Sequence, residues 1–397
     1  MTRRGKPGPF AGLSRDSWLL ALASLFSDIS TEMLYPVLPV YLTQTLKTGG
    51  LAVGVIEGIA QGAQNLIQGV SGTLSDRLQR RKPIALVGYA VSALAKPLIG
   101  LSVAWSAVLG GRLLDRLGAG SRSAPRDALI AASADEASRG RAFGLEGVGD
   151  NLGAFIGPLI AIALLLWWRI DLRSIFYLAV IPGLLALATV LLVRERRVAQ
   201  HAKPRLDVNL WRMPHDYHRY LVATLVFGLG NSSNAFLILR TRDLGASLET
   251  TILIYAGFNL VAALVSYPAG ALSDRLGRRN LLLVAFGIFL IAYLGFALAS
   301  SVVSAAMLFA LYGAFQGVFR ATGKALASDL VSPQMHASGI GWYGTTVGLS
   351  GLVAGVVAGL LWDGVSHTAV FVYGAAVGVA GGLALVVLVP ARTHATE

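Results

Sequence analysis

The amino-acid sequence predicts an all-α polytopic membrane protein of 12 transmembrane helices, arranged as two pseudo-symmetric six-helix halves around a central cavity. Three observations predict it. Of 397 residues, 55% are hydrophobic and only 14% are charged, against about 25% charged in an ordinary soluble domain. Apolar stretches of about 20 residues recur from Trp18 to Val389 between short polar breaks, and about 20 residues is what a ~30 Å hydrocarbon core asks of a helix. A decapeptide recurs at half the chain length, GTLSDRLQRR from Gly72 to Arg81 and GALSDRLGRR from Gly270 to Arg279, displaced by 198 residues. A self-match at that spacing marks a duplication.

The spans are expected at 17–43, 51–74, 83–103, 104–132, 141–166 and 173–193 in the first half, and at 218–240, 250–274, 280–299, 301–330, 337–362 and 368–390 in the second. Residues 1–16 form a tail carrying Arg3, Arg4, Lys6 and Arg15. The apolar stretch after it is too long for a secretory signal and has no small-residue cleavage site, so it is expected to remain as span 1. Residues 194–217 form a linker with Arg194, Arg196, Arg197, Lys203, Arg205 and Arg212, and 391–397 a second tail. Net charge is +12 and the pI about 10.2, which in a soluble protein would suggest nucleic-acid binding. The distribution gives another reason. With the N-terminus inside, about 21 Lys/Arg fall in cytoplasmic segments and about 5 in external ones, as the positive-inside rule demands. Both termini are therefore expected in the cytoplasm, the chain in a bacterial inner membrane, and no nucleic acid among its partners. There is no cysteine, and all six histidines lie in loops or tails, so an intramembrane proton carrier has to be a carboxylate.

In the repeated decapeptides, Gly72 and Gly270 let helices approach closely, Asp76 and Asp274 can accept from helix-end amides or an arginine, and Arg77, Arg275 and the basic residues after them anchor at the cytoplasmic face. These turns resemble the signature G-x-x-x-D-R-x-G-R-R/K of the major facilitator superfamily. The second copy matches it fully, whereas Gln79 replaces a glycine in the first. Arg112, followed by Gly118-Ala-Gly120, loosely resembles the family's span 4 motif, with Asp115 and Arg116 as departures. Gly153, Gly157 and Pro158 resemble the span 5 motif G-x-x-x-G-P-x-x-G-G, whose closing glycines are here Ala161 and Ile162. The resemblance implies the superfamily's fold and alternating access. The span 5 motif further implies proton antiport and efflux, as in bacterial drug and metabolite exporters. Small residues four apart are also what tight packing of two membrane helices requires.

An ionisable group at a helix centre costs roughly 2.5–3.5 kcal/mol on insertion scales, so each one needs a partner, a watery cavity or a task. The candidate proton carriers are Glu32 first, then Asp28, Glu57, Glu146 and Asp150. Asp28 with Glu32, and Glu146 with Asp150, are four apart and share a helix face. For Glu57, Glu146 and Asp150, structural ion pairing with Lys96, Arg112, Arg116, Arg122 and Arg126 is the competing reading. A rise of 1.5 Å per residue puts Glu57, Lys96 and Arg112 in one layer, and Asp28, Glu146, Asp150 and Arg122 in another. Adding 198 to Arg122 and Arg126 gives Arg320 and Lys324, so these four cations are expected to face one another near the cytoplasmic end, as a gate pairing with Asp127, Asp150 or Asp329, or as an anion-attracting vestibule. The expected substrate-facing groups are Tyr35, Gln61, Gln64, Asn65, Lys96, Arg116, Asn231, Asn234, Tyr255, Asn259, Tyr312, Gln316 and Tyr343. The run GLGNSSN, Gly228 to Asn234, combines poor helix formers, so span 7 is expected to break there.

The expected function is secondary active transport by alternating access, as proton-coupled export of a small organic drug or metabolite. The alternatives are transport of an organic anion, suggested by the basic residues, or of a hard divalent metal through the carboxylates. The expected partners are the substrate, protons and the bilayer, with the chain acting as a monomer. No cofactor and no resident metal are expected, the proton gradient supplying the energy. No nucleophile–base pair that would make an enzyme is found.

Overall fold

The computed structural model describes residues 13–78, 80–133, 139–195, 210–332 and 335–389. The side chains of Gly72, Asp76, Arg77, Gly270, Asp274 and Arg275 lie outside the described residues, and with them the roles expected for the two signature turns.

Twelve spans follow in order. Span 1 is Arg15–Glu32, a turn, then Val37–Val40 and a π-helical turn, Tyr41–Thr45. Span 2 is Gly50–Leu78, span 3 Arg81–Leu101, span 4 Trp105–Ser133 and span 5 Arg139–Trp167. Span 6 joins Leu172–Leu178 to Val180–Leu192, and span 7 joins His215–Gly230 to Asn234–Asp243. Spans 8 to 12 are Leu248–Leu276, Arg278–Leu298, Val302–Asp329, His336–Gly364 and His367–Leu388. Among the described residues, nine spans are long and apolar enough to cross a membrane by composition alone. Spans 1, 2 and 4 are not among them: spans 1 and 4 carry several charges each, and span 2 carries Glu57 with Gln61, Gln64, Asn65 and Gln68. Serines cap several starts: Ser14, Ser247, Ser301 and Ser366 each accept from a backbone N–H three residues on, satisfying a donor that lipid cannot.

The duplication is visible in where helices stop. Span 1 breaks after Glu32 and span 7 after Gly230, and Gly50–Leu78 corresponds to Leu248–Leu276 at both ends, all displaced by 198. For spans 3, 4 and 5 the starts are displaced by 197: Arg81 with Arg278, Trp105 with Val302, Arg139 with His336. The difference arises at the signature turns. Gly277, at φ +83°, is the single residue between Leu276 and Arg278, while span 2 ends at Leu78 and span 3 starts at Arg81. Arg320 and Lys324 therefore sit one position away from strict equivalence with Arg122 and Arg126, a correction to the sequence offset.

Lipid tails are as apolar as leucine, so shape and polar contacts rather than hydrophobicity hold spans together. The second half does this with rings. Phe227 stacks on Phe286 at 3.7 Å and meets Phe289 at 4.9 Å, while Phe289 lies 4.0 Å from Tyr293 and Tyr312 lies 5.3 Å from Phe315. The first half uses ion pairs instead.

The two halves meet along spans 2 and 11 and along spans 5 and 8. In the first seam backbone lies on backbone. A Cβ on Gly355 would sit 2.7 Å from the Gly54 carbonyl oxygen, and one on Gly58 would sit 2.9 Å from the Cα of Leu352. The end of the bundle away from the chain start and the 194–217 linker, here called distal, is closed by this seam. The other end is called proximal.

Candidate functional site

Three polar layers stack along the first half. In the most distal, Arg112 forks onto Glu57, with Nε to Oε1 at 3.1 Å and Nη2 to Oε2 at 3.4 Å, and its Nη1 donates to Asp115 Oδ2 at 3.2 Å. Asp115 Oδ1 accepts from Ser92 at 2.7 Å and lies 3.6 Å from Lys96 Nζ. Arg112, Asp115 and Lys96 are each 1% exposed. Positions 112, 115 and 116 share one face of span 4, so a single helix presents the arginine and its acid to spans 2 and 3. Arg116 is the member that reaches outward, its Nη1 donating to Gln64 Oε1 at 3.2 Å.

The most proximal layer centres on Arg126. It bonds Glu146 at 2.9 Å, Asp127 at 3.1 Å and Ser24 at 3.0 Å, and lies 4.0 Å from Asp150. Arg122 lies over the Tyr89 ring at 4.6 Å. The distal network of Glu57, Lys96 and Arg112 also takes in Asp115, which sequence reasoning set aside. The proximal one differs from the depth expectation, since Arg126 rather than Arg122 meets Glu146 and Asp150, and Asp28 lies in the layer between.

Between them lies the central layer, where span 1 presents Asp28 and Glu32 while span 5 backs onto it. A Cβ on Gly153 would stand 2.6 Å from the Leu25 carbonyl oxygen and 2.7 Å from Asp28 Cβ, and one on Gly157 would stand 3.1 Å from Glu32 Cβ. The span 5 glycines thus seat the two acids, with Pro158 one residue further along the same helix. Glu32 Oε2 accepts from Tyr255 Oη at 2.9 Å, a bond from one half to the other. Above it Tyr35 and Tyr255 stack with centroids 5.3 Å apart, and the Tyr35 hydroxyl lies 3.3 Å from Ser233 Oγ. Ser233 is 198 residues from Tyr35, so two equivalent positions touch each other, as they can only on the pseudo-twofold axis.

The other expected substrate-facing groups divide. Gln61 is exposed, donating to Asn65 at 3.4 Å, and Asn259 donates across the halves to the Ala154 carbonyl at 3.2 Å. Gln316 donates to Tyr312 Oη at 3.4 Å, and Tyr312 donates to Asn231 Oδ1 at 3.0 Å beside the break in span 7. Asn234 opens the second segment of that span and is half-buried. Lys96, Tyr312 and Tyr343 are packed inside their own halves, Tyr343 stacked on Tyr220 at 5.8 Å. Toward the proximal end the halves part. Arg320 and Lys324 are exposed and, among the described residues, make no ion pair or hydrogen bond. Asp329, a suggested gate partner, is bonded by Arg278 of its own half at 2.7 Å.

Sequence reasoning missed the distal contact altogether. Asp363, at the end of span 11, accepts from the backbone N–H groups of Gly50 at 2.7 Å and Leu51 at 2.9 Å. One half thus supplies the helix cap of span 2 in the other. Trp362 packs on Gly50 and stacks on His367 at 4.0 Å, and a cavity of about 330 Å³ beside them is lined by residues including Thr43, Thr48 and Asp243. Caps of this kind are worth about 0.5–2 kcal/mol. Asp363→Ala is expected to shift the balance between distal-closed and distal-open forms roughly two- to thirtyfold toward open. The chain lacks cysteine, so a Thr48→Cys reporter labelled by an impermeant maleimide would read this directly. Unchanged labelling would remove the latch role.

The fold recurs in known proteins. The crystal structure of the nucleoside transporter NupG superposes with a TM-score of 0.79 at 14% identity, over 95% of this chain and 100% of that one. The multidrug resistance protein MdtG of Klebsiella pneumoniae is 28% identical over 279 residues, 66% of each chain. An uncharacterised MFS-type transporter of Methanocaldococcus jannaschii is 32% identical over 379 residues, 94% of each chain. The model of the Major Facilitator Superfamily matches residues 20–215 and 220–397. With twelve spans in two equivalent halves, the chain belongs to the major facilitator superfamily of membrane transporters.

Proposed function

We propose that the protein is a proton-coupled secondary transporter of a small organic molecule, working by alternating access of its two halves. The observation that carries this reading is the bond from Tyr255 to Glu32, which joins the halves at mid-bundle through a carboxyl group. A proton arriving at Glu32 removes the charge that Tyr255 donates to and changes what holds the halves together. Asp28 and Asp150 lie within reach of each other one turn toward the proximal end and form the path by which protons arrive. Lys324, in the field of Asp127 and Asp150, is the proximal gate: it pairs with them when that end closes and the Asp363 latch opens. The Lys/Arg distribution supports a cytoplasmic proximal end and cytoplasmic termini, the orientation proposed for a bacterial inner membrane.

Two modes of coupling fit this frame. Export against an inward proton flow is favoured by the likeness to MdtG, a multidrug resistance protein, and by the glycines that seat Asp28 and Glu32. Movement of an organic anion together with a proton is favoured by the cations around Glu32. Among the described residues no three acids or histidines converge as a metal site would require, and no contact favours the metal reading. In proteoliposomes, Glu32→Gln is expected to reduce transport driven by a pH gradient to that of protein-free vesicles, while exchange of cargo for cargo continues. Full gradient-driven transport by the variant would remove Glu32 from coupling.

A further inference from the structure

The distal layer holds more bases than acids. Glu57 and Asp115 meet Arg112, Arg116 and Lys96, and among the described residues no third acid bonds into the layer. The bases are not equally served. Arg112 forks onto Glu57 and reaches Asp115, and Arg116 has the amide of Gln64 besides Asp115. Lys96 has a single polar contact among the described residues, Asp115 Oδ1 at 3.6 Å, and that oxygen already accepts from Ser92 at 2.7 Å. Yet Lys96 is only 1% exposed. The elements packed on span 3 offer it nothing more: span 6 has Arg173 as its one charged residue, which donates to the Tyr41 hydroxyl at 3.4 Å, and span 2 presents Glu57, held by Arg112. On span 4, Arg122 lies further along, over the Tyr89 ring, and the other charges of span 3, Arg81 and Lys82, are at its opposite end. A charge taken out of water is costly unless it is both paired and hydrogen-bonded. A guanidinium keeps its proton in any protein setting, whereas an ammonium gives its proton up readily when buried. The excess positive charge of the closed layer therefore leaves from Lys96.

We infer that Lys96 is a second proton carrier of the transport cycle, neutral while the distal end is closed and protonated while it is open. The inference rests on the proposed proton-coupled alternating access and adds a proton to it. Sequence reasoning admits only carboxylates to this task, for want of an intramembrane cysteine or histidine, but a lysine stripped of water serves as well. Opening reaches the layer through Glu57, which stands between Gly54 and Gly58, two glycines on which spans 2 and 11 close. When that seam parts, water enters the layer and the Lys96 amine takes a proton from it. When the seam shuts, the ammonium passes its proton to the Asp115 carboxylate, and Asp115 releases it to water on the side where Arg116 reaches Gln64. Lys96 is then neutral, and Asp115 is again ionised and held by Arg112, Arg116 and Ser92. Each cycle thus moves one proton on Glu32 and one on Lys96 from the distal to the proximal side.

The test reads distal opening without any cargo. Val103, just past the distal end of span 3, and Val303, at the distal start of span 10, are both exposed, one in each half, and the chain has no cysteine of its own. Spin labels on Val103→Cys and Val303→Cys report the distance between the halves by pulsed electron paramagnetic resonance. Glu32→Gln is present throughout, so that the central acid does not titrate. Because the open form binds the proton, acid favours it: the ratio of open to closed is expected to rise by up to about tenfold per unit fall in pH, the limit for one proton. Lys96→Met removes that component and keeps the distal end closed. Lys96→Gln, which retains a donor for Asp115, does the same, so the outcome does not depend on one variant folding. Lys96→Arg, whose guanidinium holds its proton, keeps the distal end open at every pH. Asp243, His367 and Asp363 at the distal end are unchanged in all of these, and any slope they add is common to all. Absence of a pH response before Lys96 is replaced, an unchanged slope in both neutral variants, opening that grows with rising pH, or closure of Lys96→Arg at alkaline pH would each overturn the assignment. Were it overturned while Glu32→Gln still abolished gradient-driven transport, coupling through Glu32 would stand. A Lys96-dependent response beside full gradient-driven transport by Glu32→Gln would instead keep Lys96 and remove Glu32.

Discussion

Arg112→Gln is expected to destabilise the first half by about 3–5 kcal/mol, the cost of breaking a buried ion pair from one side. The residue is 1% exposed and serves two acids at once, so its loss strands Glu57 and Asp115 in a medium that cannot solvate them. Lys96 and Arg116 still lie 3.6 Å from Asp115, but no other cation bonds Glu57 among the described residues. The penalty should therefore fall mainly on Glu57. It follows that Arg112→Gln combined with Glu57→Gln is less harmful than Arg112→Gln alone, because an amide pair of similar size can bond itself. Thermal denaturation in detergent, followed by size-exclusion elution, reads both. Equal melting of single and double variants would show that the pair is not energetically linked. A conservative Arg112→Lys should recover little, since a single ammonium cannot fork onto both Glu57 oxygens and still reach Asp115.

Gly54→Leu is expected to abolish transport without unfolding the protein. A side chain at position 54 runs into the backbone oxygen of Gly355 in the opposite half, and backbone cannot swing aside as a side chain end can. Overpacking of this kind costs about 1–3 kcal/mol or more. The whole cost falls on the form in which spans 2 and 11 touch. Parting the halves at the distal end relieves it, so the variant is biased toward distal-open by roughly five- to 150-fold rather than denatured. Gly54→Ala should give a smaller shift of the same sign. The Thr48→Cys reporter would label fully in Gly54→Leu while the elution profile stays that of the parent. Transport at parental rate would show that the seam does not have to close so tightly.

Legibility from sequence followed the range of the forces involved. Span positions come from local hydropathy and were readable to within a few residues. The break in span 7 was readable too, because Gly-Asn-Ser-Ser-Asn is a local composition. The break after Glu32 was not anticipated, since Pro36 sits inside an otherwise regular apolar pattern, and only the repeat displacement to Gly230 makes it expected. The grouping of Glu57, Lys96 and Arg112 was readable from depth along each helix, but the pairing of Glu146 with Arg126 rather than Arg122 was not, nor was the role of Asp115, which as a departure from a family motif looked like variation. Cross-half contacts were the least readable. Nothing local to Asp363 indicates that it caps a helix more than 300 residues earlier, and nothing near Tyr255 points to Glu32. Such contacts depend on how two separately folded halves dock, and that information is spread along both seams.

The contact between Tyr35 and Ser233 has a consequence for how such a molecule arises. In a homodimer of identical six-helix subunits, the residue at this place would meet its own copy across the axis. Only self-compatible choices would then be allowed: two tyrosines would crowd one another, and two serines would leave a gap. Joining the subunits into one polypeptide lifts that restriction. The position becomes two genes' worth of freedom, spent here on a large ring against a small hydroxyl. The same release from self-pairing lets one half collect acids in its membrane interior and the other keep its acids near the helix ends, so a device with a direction can descend from a symmetric parent.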